Sequence, residues 1–168
     1  MCFFFKKKPK FKKAEVDEIM ANVLRSKEFP GFPSVGERND ENFKVVFKPD
    51  SAFCTVDAIG TVDGVTIRIS PCYSLENQYL SFYVVFENVS FHNKFEEKKE
   101  LNKKYPLYKF DYLEKNTWVD KLQNVEGQKI RYCVKCKTLE EISSGVEKFI
   151  EDLAYENVYQ SVIEVNKG

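Results

Sequence analysis

Between positions 52 and 70 the chain reads AFCTVDAIGTV, then Asp63-Gly64, then VTIRIS. An Asp-Gly pair between two alternating apolar runs is the strongest short-range signal for a β-hairpin, because the tight turn needs backbone angles that glycine adopts freely. Everything else in the chain is therefore placed by how it extends or covers the sheet begun there. A strand is expected over 43–48, with Phe43, Val45 and Phe47 on one face. Another is expected over 79–89, where Leu80, Phe82, Val84 and Phe86 alternate with Ser81, Tyr83, Val85 and Glu87. Further strands are expected over 107–113 and 117–123, either side of Glu114-Lys115-Asn116, and over 129–136. One side of this sheet is apolar throughout. The other is only partly polar, since Phe53, Ile59, Tyr79, Tyr83 and Val85 all fall on it.

Three segments carry the helical period instead. Val16, Ile19, Met20 and Val23 follow i, i+3, i+4, i+7 spacing behind Glu15, Asp17 and Glu18, which predicts an amphipathic helix over 14–26. Residues 92–104 are highly charged, with Phe91, Phe95, Leu101 and Tyr105 at loose helical intervals and Pro106 as a stop. Thr138 with Glu141 forms a capping box, followed by Ile142, Val146, Phe149, Ile150 and Leu153 at helical spacing. This last helix is expected to reach about residue 158, with a further turn or a frayed tail behind it. Between the first helix and the first strand, KEFPGFPSVGERNDEN holds Pro30, Gly31, Pro33 and Gly36, a long loop through which neither helix nor ladder persists.

Strands and helices in this order predict a single α+β domain over 14–165, an antiparallel sheet with its N-terminal, middle and long C-terminal helices packed mainly on one face. The 168 residues suffice for a core without disulfide or metal, and an aromatic share of 15% favours a β-rich interior. Lys plus Arg equals Asp plus Glu at 26 each, so no overall field draws the chain to nucleic acid. The charge is unevenly spread: residues 1–13 form a basic tail in which Phe3, Phe4 and Phe5 precede Lys6, Lys7 and Lys8. Such a tail is usually solvated, and it is also the one segment suited to weak contact with an anionic membrane. The Phe run is too short for a membrane span or an export signal, and five cysteines at irregular spacing read as reduced thiols of a cytoplasmic protein.

No pattern of catalytic or ligand-binding chemistry stands out. Cys133-Val-Lys-Cys136 invites a redox reading, yet the capping box starts the helix at Thr138, and no further sheet follows to complete a thioredoxin-like fold. As half of a zinc site it lacks a partner pair: Cys54 and Cys72 are far apart, and His92 is the single histidine. His92 also has no Ser or Cys elbow near it, and no phosphate-binding glycine loop occurs. Trp118 with Tyr105, Tyr108 and Tyr112 could stack on bases, but sheet alternation accounts for these rings. The residues thus predict no catalytic site, no cofactor and no metal.

Three stretches taken together, VDAIGTVDGVTIRIS, LSFYVVFENV leading to a charged helix that ends near LNKKYP, and TLEEISSGVEKFIEDL, resemble the YbjN family, whose fold is similar to the type III secretion chaperones. The resemblance implies a non-enzymatic interaction or regulatory module that holds a protein partner on a sheet or helix surface, with a homodimer as one arrangement. The contact is then expected on Phe53, Ile59, Tyr79, Tyr83 and Val85 or on the C-terminal helix. The alternative is a peripheral protein that touches the membrane through Phe3, Phe4, Phe5, Lys6, Lys7 and Lys8. The chain departs from secretion chaperones, which are typically acidic, in its zero net charge.

Overall fold

A computed structural model describes residues 10–26, 43–62, 64–87 and 94–167. Along the chain run α1 (Lys13–Ser26), β1 (Phe43–Phe47), β2 (Cys54–Val62), β3 (Val65–Tyr73), β4 (Tyr79–Glu87), α2 (Lys94–Lys104), β5 (Tyr108–Leu113), β6 (Asn116–Val125), β7 (Gln128–Arg131), β8 (Cys133–Lys135), α3 (Leu139–Glu156) and α4 (Val158–Lys167). The strands form an antiparallel sheet in the order β1-β2-β3-β4-β6-β5, with β7 beside β6 and β8 beside β4. The class is α+β, as the alternation of periods predicts.

The expected hairpin forms, Val62 pairing with Val65 and Gly64 at φ 81°, a left-handed angle that a side chain would strain. Its second strand is longer than expected and runs through Pro71 to Tyr73. Proline has no N–H to donate, and side chains bind the two strands there instead: Thr55 donates to the Pro71 carbonyl at 2.8 Å, and Ser70 donates to Asp57 Oδ1 at 2.6 Å.

The strand expected over 129–136 is two strands with different partners. Residues 128–131 follow β6 outward as a hairpin, while 133–135 return to pair with the start of β4, Ser81 opposite Cys133. β4 therefore shares one edge between β8 at its beginning and β6 at its end. The projecting hairpin explains why Ile130 and Val125 are exposed.

Helices α1, α3 and α4 cover one face. Leu80, Phe82, Val84 and Phe86 of β4 point to them, with Phe82 stacked on Phe149 at 3.8 Å between ring centroids and Phe86 against Tyr159 at 5.6 Å. In α3, a Cβ at Gly145 would meet Leu80 Cδ2 at 2.7 Å, so the missing side chain is what lets helix and strand approach. Thr138 caps the helix as expected, Glu141 N–H donating to its Oγ1 at 3.1 Å, and the Glu141 carboxylate turns back to accept from the Thr138 hydroxyl at 3.2 Å. All five apolar residues predicted for α3 are buried. In α1 the stripe is turned slightly: Ala21 and Leu24 are fully buried while Ile19 is half-buried.

Of the further turn and the frayed tail left open behind α3, the chain forms neither but a helix. Asn157 takes a left-handed conformation at φ 59°, closes α3, and starts α4, which buries Val158, Tyr159, Val162 and Ile163. Phe95 of α2 does not reach the core and is exposed, that helix burying Leu101 alone. The predicted loop at 27–42 lies outside the described residues.

Candidate functional site on the open sheet face

Strand alternation assigns a second set of side chains to the side away from α1, α3 and α4. Their levels follow from the register. At one level, Thr55 of β2 pairs with Cys72 of β3, Cys72 with Ser81 of β4, and Ser81 with Cys133 of β8. Four neighbouring strands thus present small side chains in one row across the sheet. Two residues further along the strands stand Phe53 and Tyr79, and two residues back stands Tyr83, which pairs with Ser70. These side chains, without Cys133, line a furrow, a trough of about 420 Å³ that follows β3 and β4 over four levels, from Phe53, Ser74 and Tyr79 at one end to Arg68, Val85 and Trp118 at the other, with Lys48 beside it.

The rings are held by cations. Arg131 sits over Tyr83 at 4.0 Å from the ring centroid and Lys135 over Tyr79 at 4.8 Å. Lys135 Nζ also donates to the Asn77 carbonyl at 3.0 Å, and Arg131 pairs with Asp120 at 3.3 Å. At the other end, the Asp57 side chain is only 3% exposed and gathers Lys48 Nζ at 2.9 Å and Arg68 Nη1 at 4.0 Å, while Arg68 Nη2 pairs with Glu87 at 2.6 Å. Each of these three carboxylates is engaged by a cation, and none of them lines the trough.

Of the five predicted contact residues, Phe53, Tyr79 and Tyr83 are brought together on this face, 54%, 46% and 37% exposed. Val85 shares the face and lines the trough but is buried, standing in register between Arg68 and Trp118. Ile59 lies opposite Arg68 at that same level, half-buried, and outside the furrow. Residues that sequence reasoning did not single out supply the rest: Thr55, Cys72 and Ser81 as floor, Lys48 and Arg68 as wall. Phe3, Phe4, Phe5, Lys6, Lys7 and Lys8, and also His92, lie outside the described residues. The C-terminal helices spend their apolar faces on the core, leaving Tyr155 as the exposed ring.

The two thiols of Cys133-Val-Lys-Cys136 part company. Cys133 joins the open face, while Cys136 is fully buried with its Sγ 3.5 Å from the Glu141 carbonyl. Burial, reinforced by Glu141, pushes the Cys136 thiol from its ordinary 9.0 up to about 11, the opposite of what a redox nucleophile needs. Among the described residues no group of three His, Cys, Asp or Glu side chains stands together to hold a metal ion.

One cluster resembles nucleophilic machinery. Ser161 Oγ lies 2.5 Å from Tyr105 Oη and accepts from Lys104 Nζ at 3.0 Å. Ser161 is the fourth residue of α4, and its own N–H donates to the Asn157 carbonyl. The cluster ties the end of α2 to α4. Similarly, Lys121 pairs with Asp152 at 2.8 Å between the rings of Tyr108 and Tyr132, and Tyr108 donates to Glu156, fastening the sheet to α3. No helix among the described residues is long and apolar enough to cross a membrane. Compared with protein-family models, curated proteins and solved structures, the chain finds no match.

Proposed function

We propose that this chain is a non-enzymatic interaction module that holds a protein partner on the open face of its sheet, in the manner the resemblance to YbjN-like and secretion-chaperone-like proteins implies. The observation that carries the reading is the grouping of Phe53, Tyr79 and Tyr83, large rings left to solvent on one side of a sheet whose other side packs against α1, α3 and α4. Rings with a polar tip beside cations, around a small-residue floor, are the kind of surface on which binding energy concentrates. The C-terminal helix, the other expected contact, has its apolar stripe committed to the core.

The test compares the chain with a Phe53→Asp/Tyr83→Asp variant in affinity capture from the native cell, after circular dichroism has established that both fold. Truncating a hot-spot ring costs about 2 kcal/mol or more, so a specific partner should be depleted by at least about tenfold from the variant. Identical captures by the two proteins would sink the reading.

A further inference from the structure

Beyond that reading, we infer that the furrow binds a neutral, linear oligosaccharide, lying along β3 and β4 with its C–H faces against the rings and its hydroxyls on polar side chains that the fold leaves unpartnered. The furrow is long and narrow. Tyr79 and Val85, its end levels on β4, are six residues apart, about 20 Å at the rise of an antiparallel strand. Its volume of about 420 Å³ is within the roughly 300–1,000 Å³ of small-molecule sites.

Its charges are already answered. Lys48 is paired with Asp57, Arg68 with Asp57 and Glu87, and no carboxylate lines the furrow, so an ionic ligand finds no free counter-charge there. What is left is neutral. Among the described residues the hydroxyls of Tyr79, Ser81 and Tyr83 and the Asn77 side-chain amide make no hydrogen bond, and the buried Trp118 Nε1–H at the end of the furrow has no acceptor. Ser51 and Ser74 accept from the Phe53 and Asn77 N–H groups and keep their own protons to give. Thr55 and Ser70 give theirs to the Pro71 carbonyl and to Asp57, and keep lone pairs.

Uncharged donors and acceptors thus alternate along a slot flanked by rings. A sugar chain matches both, since its hydroxyls give and accept and its C–H groups, slightly positive, suit the negative faces of aromatic rings. An acyl chain would cover the hydroxyls without bonding them. An extended peptide would seek main-chain partners, and here both edges of β3 and β4 are paired, β3 with β2 and β4, and β4 with β3 on one side and β8 and β6 on the other.

An array of neutral and acidic oligosaccharides, probed with the full-length chain, tests this. Neutral linear members should bind and single sugars should not. For a neutral hit followed by isothermal titration calorimetry, Phe53→Ala, which removes the most exposed of the three rings, should weaken binding about tenfold or more, and Asn77→Ala about threefold or more. Both changes are at exposed side chains, and circular dichroism establishes that both variants fold. Salt at about 0.5 M should leave the affinity within about twofold. Binding confined to acidic sugars and lost at that salt would overturn the inference. So would silence across the array, or hits indifferent to both variants, and the affinity capture would then judge the protein-partner reading by itself.

Discussion

The two faces of one sheet are made from the same strands, and they obey different rules. On the covered face every second residue of β4 is a large apolar group matched to a helix: Leu80 to the gap at Gly145, Phe82 to Phe149, Phe86 to Tyr159. On the open face the intervening residues are Tyr79, Ser81, Tyr83 and Val85, large beside small, and only Val85 is buried. Packing that leaves no gap stabilises the fold. A surface that alternates ring and gap within one strand leaves shape unused by the chain itself, which is what the proposed docking reading calls for. Substitutions should therefore separate along the same line, costing stability on one side and recognition on the other.

Phe149→Ala gives the sharpest contrast. The ring is fully inside, stacked on Phe82 and 5.9 Å from Tyr132, so its removal leaves a cavity between α3 and β4. The expected loss is about 3–5 kcal/mol, a fall in Tm of roughly 10 °C for a domain of this size. Urea unfolding followed by circular dichroism measures it. A loss below about 1 kcal/mol would mean that α3 is not the cover described, and the division of labour between the faces would fail with it.

Asp57 is the exception on the open face, a carboxylate that belongs to stability. Its buried oxygens accept from Ser70 and hold Lys48 and Arg68 beside the furrow. Asp57→Ala leaves the Ser70 hydroxyl without its acceptor where Pro71 already interrupts the ladder, and about 1–3 kcal/mol should be lost. Asp57→Asn keeps an acceptor and should lose less. If the alanine variant proves as stable as the parent in the same urea titration, the network is a surface ornament and the two faces differ more cleanly than argued.

How much of this could be read from the amino acids follows the range of the interactions. The turn at Asp63-Gly64 pairs Val62 with Val65, and counting back from that pair puts Thr55 opposite Cys72, so half of the furrow floor was within reach of the sequence. Alternation alone put Phe53, Tyr79, Tyr83 and Val85 on one face, but not which of them stay exposed. The burial of Val85 depends on Trp118 arriving beside it from a strand more than thirty residues away, a pairing with no local signal. The split of 128–135 between two partners is of the same kind. The start of α4 had a signal that propensity passes over: Asn157 is a residue type that tolerates the left-handed angle ending a helix, and Val158, Tyr159, Val162 and Ile163 behind it carry the helical period.

The cysteines report on both faces with one chemistry and without any change to the fold. Cys54 and Cys136 are on the covered side, wholly buried, and Cys72 and Cys133 are half-buried on the open side. Burial raises all four thiols, Cys54 and Cys136 to about 11 from the ordinary 9.0. Iodoacetamide at pH 8 should therefore label Cys72 and Cys133 first, more slowly than a free thiol, and Cys54 and Cys136 only as fast as the protein opens globally. Peptide mass spectrometry over time separates the four. The sign of the pH effect is also set. Below about pH 9 folded and unfolded chains both keep these thiols protonated. Between pH 9 and about 11 the unfolded chain loses its protons while the buried Cys54 and Cys136 keep theirs, so stability falls as pH rises through that window. Labelling of Cys54 or Cys136 at the rate of Cys72 would place them on a surface the reagent reaches without unfolding, and the sheet would then have no covered side.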